Sequence, residues 1–95
     1  MLELTSRQRK RLRALAHPLE PVVLVGQDGL SEGLLQEVDR ALLAHELIKV
    51  RMRKPSEKDA MASELAESTG AALCGLVGHV AILYRPHPEH PTLEI

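Results

Sequence analysis

A chain of 95 residues with one cysteine, one tyrosine and neither phenylalanine nor tryptophan has room for a single hydrophobic core and cannot form a disulfide within itself. It holds no apolar run of membrane-spanning length and no secretory h-region near its N-terminus, so a soluble protein of a reducing, cytoplasmic compartment is expected. Its formal net charge of -1 hides two basic clusters, Arg7, Arg9, Lys10, Arg11 and Arg13 with no acid among them and then Lys49, Arg51, Arg53 and Lys54, a polarity that fits a polyanion bound through one side.

Thr5 and Gln8 stand at capping-box spacing, and Leu12, Leu15 and Ala16 form an apolar stripe, which predicts a helix from about Ser6 to Ala16 ended by Pro18. Its other faces are almost wholly basic. Pro21 opens the continuous apolar run Val22 to Val25, the pattern of a strand covered on both sides or flanked in the middle of a sheet. The loop Gly26-Gln27-Asp28-Gly29 follows, then Ser31 as N-cap of a second helix to about His45, with Leu34, Leu35, Val38, Leu42 and Leu43 as its stripe. Ile48, Val50 and Met52 alternate with Lys49, Arg51 and Arg53, so a second strand separates apolar residues from a row of cations. Ser56 is placed to cap a third helix with Met61, Leu65 and Ala66 inward, and Gly70 ends it. Strands over about Ala72 to Val77 and from Val80 to Leu83 or a little beyond flank a turn at Gly78-His79. The Pro/His-rich stretch from Pro86 to Pro91 reads as a loosely ordered end. Strand-helix-strand units favour parallel pairs and the final hairpin adds an antiparallel strand, so the expected sheet is small and mixed.

The G-x-x-G loop between strand and helix is the leading site candidate, because backbone N-H groups and the positive end of a helix dipole suit phosphate oxygens. The same glycines also serve a plain helix-entry turn, and Asp28 would repel an anion. A second match, Gly75-Leu76-Val77-Gly78, has apolar inner residues and reads as strand and hairpin. Without Phe or Trp the chain lacks an aromatic stacking platform, which directs any RNA binding to phosphates, 2'-hydroxyls and shape. Tyr84 beside Arg85 is placed either to stack one base or to pack at the end of a strand. Enzyme chemistry finds little footing. The histidines are dispersed, His87 and His90 lack a third ligand nearby, and Cys74 lies in an apolar run with no adjacent cation to lower its pKa. No metal, cofactor or small-molecule substrate is expected.

Gln8 to Leu15, Ala16 to Gly26, Gly29 to Gly33, His45 to Val50, and Gly78 with Leu83-Tyr84-Arg85-Pro86 together resemble the YhbY-type bacterial proteins, the stand-alone form of the CRM (chloroplast RNA splicing and ribosome maturation) domain. The likeness runs from about Leu4 to Pro86. It implies a two-layer α/β (α+β) fold, α-β-α-β-α-β-β with strand order 1-2-4-3, similar to the C-terminal domain of translation initiation factor three. The implied domain covers residues 1–86, with 87–95 as a tail. It also implies RNA as partner, ribosomal RNA in precursors of the large subunit, and places the family's loop on Gly26, Gln27, Asp28 and Gly29. Asp28 departs from the basic or neutral residues common there, so the expected RNA surface extends to both basic clusters and Arg85. A protein-protein adaptor docking an acidic partner through the basic helix is the alternative from another class, and a small enzyme using Cys74 or a histidine is a remote third.

Overall fold

A computed structural model describes residues 3–26, 28–53 and 58–95. The elements in chain order are α1 (Ser6–Ala16), β1 (Val23–Val25), α2 (Glu32–His45), β2 (Leu47–Met52), α3 (Lys58–Thr69), β3 (Ala72–Val77) and β4 (Val80–Tyr84). The four strands form one sheet in the order β1-β2-β4-β3. β1 and β2 are parallel, and β4 runs antiparallel to both β2 and β3. The expected element order, strand order and mixture of directions are all present.

Local signals account for most element ends. The Thr5 side chain accepts from Gln8 N and the Gln8 side chain accepts from Thr5 N, the reciprocal pair that satisfies two free amides at the start of α1. At the start of α2 the Ser31 hydroxyl accepts from Leu34 N, a one-way cap. Gly70, at φ +70, turns the chain out of α3, and Gly78, at φ +59, makes the hairpin turn. The expected cap at Ser56 lies outside the described residues.

The two faces of the sheet carry separate cores. α2 and α3 cover one face, burying Val38, Leu42 and Leu65 against Val25, Ile48, Val50, Met52 and Leu83. α1 packs on the other, where Leu12 and Ala16 meet Leu47, Cys74, Ile82 and Tyr84. Helices therefore lie on both faces, where two layers were expected, because β4 is apolar on both sides: Ala81 and Leu83 point to one core, Ile82 and Tyr84 to the other.

Three further expectations change. β1 is the edge strand that the order 1-2-4-3 implies, but one of its faces is not covered as its apolar run suggested: Leu24 is 47% exposed on the face that α1 covers only in part. Leu15 and Leu43 are exposed at the margins of their helical stripes. The tail is docked. Glu46 receives the backbone N-H groups of His87 and Thr92, each at 2.8 Å, and the Thr92 hydroxyl. Leu93 and Ile95 pack beside the α1 core.

Candidate nucleic-acid interface

α1 covers only part of its face of the sheet. The register leaves one cross-strand row open, Leu24, Arg51, Val80 and Val77. The next row, Lys49, Ile82 and Gly75, passes under the edge of α1. Strand alternation sends Lys49 and Arg51 to this side, and helical spacing brings Lys10 and Arg13 over it. These four cations wall a cleft of about 690 Å³ whose floor includes Val77, Val80 and Ile82. Cations some forty residues apart in sequence thus converge on one site, with His17 and Glu20 also at its margin.

Two of these cations are held in place by the protein. Lys49 Nζ donates to the carbonyls of His17 and Leu19, at 3.1 and 3.0 Å, and so ties down the chain leaving α1. Arg13 donates from NH1 to the Cys74 carbonyl at 2.8 Å. That carbonyl is accessible because the register shifts between Leu73 and Gly75, a bulge in β3. A Cβ at Gly75 would lie 2.7 Å from the Arg13 Cδ, so glycine is what lets the arginine stem lie flat on the strand.

The remaining sequence candidates divide by position. Arg7, Arg9 and Lys10 are exposed and make no side-chain hydrogen bond among the described residues, whereas Arg11 donates from Nε to the Glu94 carbonyl at 2.8 Å. Arg53 follows β2 at the end of the sheet where the G-x-x-G loop leaves the parallel β1, and the two segments touch through Arg53 N and Val25 O at 3.3 Å. Arg53, Arg51, Leu24 and His79 line a second depression of about 580 Å³ beside the first. The basic surface therefore continues along the sheet toward the loop.

Within that loop Gly29 takes φ +67, Gly29 N donates to Gly26 O at 3.2 Å, and Asp28 is exposed. One of the loop's amides is thereby consumed in its own turn. Gln27 and Lys54 lie outside the described residues. Arg85 is not part of this surface: its guanidinium donates to Asp39 Oδ1 and to the Thr69 carbonyl, both at 2.7 Å, tying α2 to the end of α3. The sequence reading placed Arg85 on the RNA surface, but Asp39 and the Thr69 carbonyl, distant in sequence, occupy its guanidinium.

Cys74 is buried and burial pushes its thiol up to about 11, although Arg9 and Arg13 pull the other way; a cation does stand nearby, contrary to the sequence expectation, but desolvation prevails. Tyr84 is buried, so its ring packs in the core and cannot stack a base. Burial, and then the charges of Glu46 and Cys74, raise its pKa. No group of three or more potential metal ligands occurs among the described residues.

Sequence reasoning missed Gly75, Val77 and Val80 as part of the site. The available signal was the alternation of β4, whose outward Val80 had no polar partner to explain it. It also missed Glu46, a lone acid at the junction of α2 and β2.

The CRS1/YhbY (CRM) domain model matches residues 4–85. The chain belongs to this family. This CRM domain is 41% identical over 91 residues to an RNA-binding protein of Haemophilus influenzae, covering 94% of this chain and 92% of that one. It is 38% identical over 90 residues to a protein of Pseudomonas aeruginosa named a probable RNA-binding protein, covering 93% and 86%. Among solved structures, a hypothetical Staphylococcus aureus protein proposed to bind RNA superposes with a TM-score of 0.85 at 32% identity, covering 98% of this chain and 99% of that one.

Proposed function

We propose that this CRM domain is a non-enzymatic RNA-binding protein of the cytoplasm that acts on ribosomal RNA in precursors of the large ribosomal subunit. The observation that carries the RNA-binding reading is the convergence of Lys10, Arg13, Lys49 and Arg51 on one cleft, opposite two helices that hold six of the thirteen acids. The names of the relatives support RNA as the polyanion. Assembly of the large subunit rests on the resemblance of the sequence to YhbY-type proteins.

Binding through the cleft works by releasing counterions from phosphates, so affinity depends on salt. If each of the four cleft cations meets one phosphate of a single strand, log K falls with log salt at a slope of about -3. Titration of a labelled RNA over a range of salt concentrations measures it, and a flat response overturns the mechanism. Nuclease treatment of the protein recovered from cells tests the setting. An RNA-bound CRM domain leaves ribosomal particles when their RNA is digested, whereas an adaptor docked on an acidic protein stays with its partner.

A further inference from the structure

We propose that the open row of the sheet is a platform for unpaired nucleotides, with a base lying on Val77 and Val80 and the flanking phosphates held by Lys10, Arg13 and Arg51. The proposal rests on the RNA-binding reading and extends it from charge to the strandedness of the RNA.

The outward face of a solvated antiparallel sheet is ordinarily polar. Here Leu24 and Val77 are 47% and 64% exposed, yet they stand in one row with Val80 and Arg51. α1 could have covered this row and does not, since its buried residues Leu12 and Ala16 sit over Leu47, Cys74 and Tyr84. Aliphatic surface bordered by cations complements a ligand that is anionic along its length and offers flat, weakly hydrated faces between its charges. A single-stranded nucleic acid has that alternation. A duplex does not, because its bases are stacked inside and only phosphates and riboses would meet the floor.

Arg13 makes the platform specific. Its stem lies against Gly75 and its NH1 is committed to the Cys74 carbonyl, so the guanidinium has little rotamer freedom left to lose on binding. A planar cation fixed at the margin of an apolar floor can flank a base or grip a phosphate with its remaining N-H groups. The aliphatic floor stands in for the aromatic side chains that this composition lacks.

Fluorescence anisotropy decides the matter with a short RNA strand, the same strand annealed to its complement, and the same strand carrying abasic positions. The single strand is expected to bind about tenfold tighter than the duplex at physiological salt, and abasic substitution to remove most of that margin. Val77→Ser is expected to lower the ratio of single-strand to duplex affinity several-fold without changing the melting temperature. Gly75→Ala, which displaces Arg13, is expected to lower the ratio in the same direction. Equal or tighter duplex binding, or indifference of the ratio to both Val77→Ser and abasic substitution, overturns the platform while steep salt dependence still upholds RNA binding. Failure of both RNAs to bind overturns both readings.

Discussion

Glu46 shows how one residue can organise a segment far away in sequence. Its backbone, at φ 64, makes the abrupt turn from α2 into β2, and its N-H closes on the Leu42 carbonyl at 2.8 Å. A side chain at that φ is strained at a cost of about 1–3 kcal/mol, which the tail contacts offset. Burial would raise its carboxyl, but the Thr92 hydroxyl and the backbone amides of His87, Thr92 and Leu93 outweigh burial and hold it below its ordinary value of 4.5. A depressed carboxylate stabilises the fold above its unfolded pKa, and that contribution is lost as pH falls through the lower folded value. Glu46→Gln should therefore cost about 1–3 kcal/mol at neutral pH, and the gap to wild type should shrink in acid. Urea unfolding at the two pH values checks both expectations. Cys74 offers a second test at this scale. With its thiol pushed up to about 11 and buried, it should resist a disulfide reagent in the native protein and react fully in urea; rapid native labelling would restore a chemical role for it.

At the level of elements, what was legible depended on how local its cause is. The caps at Thr5 and Ser31 and the turns at Gly70 and Gly78 involve residues a few positions apart, and each was readable. The edge position of β1 came only from the strand order that the family resemblance implied, because Val22 to Val25 carries the same pattern whether one neighbour or two lie beside it. Arg85 and the tail were misread for a related reason: the hydrogen bonds that occupy them come from Asp39, Thr69 and Glu46, residues brought near only by the completed sheet. The file of cations on β2 was legible from alternation, whereas the row of Leu24, Val80 and Val77 across Arg51 required the register of four strands. The G-x-x-G loop remains to be tested as an element. It lies beside Arg53 and opens onto space at Gly26 and Gly29, but Asp28 opposes an anion there. If phosphate is held at the loop, Asp28→Lys replaces repulsion by attraction and should tighten RNA binding by about 1–2 kcal/mol. Unchanged affinity in a folded variant would leave the loop as a turn that starts α2.

Across the whole molecule, the sheet separates charge of opposite sign. α1 carries five cations and no acid, whereas α2 and α3 together carry Glu32, Glu37, Asp39, Asp59, Glu64 and Glu67 on the other side. The near-neutral total therefore says little about what an approaching polyanion meets. The principal dimensions of 35 × 25 × 24 Å exceed the screening length of about 8 Å at physiological ionic strength, so RNA on the α1 side should scarcely sense the acids opposite. Two triple variants with equal and opposite changes in net charge separate location from total. Arg7, Arg9 and Lys10 to Gln should weaken RNA binding several-fold or more and reduce the steepness of the salt slope by about 0.7 for Lys10 in the cleft, with about 0.7 more for each of Arg7 and Arg9 that meets a phosphate beyond it. Glu37, Glu64 and Glu67 to Gln should strengthen it by less than about twofold at physiological salt and more at low salt, where screening relaxes. All six positions are exposed, so both variants should stay folded, as circular dichroism can verify. Symmetric effects of opposite sign would mean that net charge governs binding and that the segregation across the sheet does not.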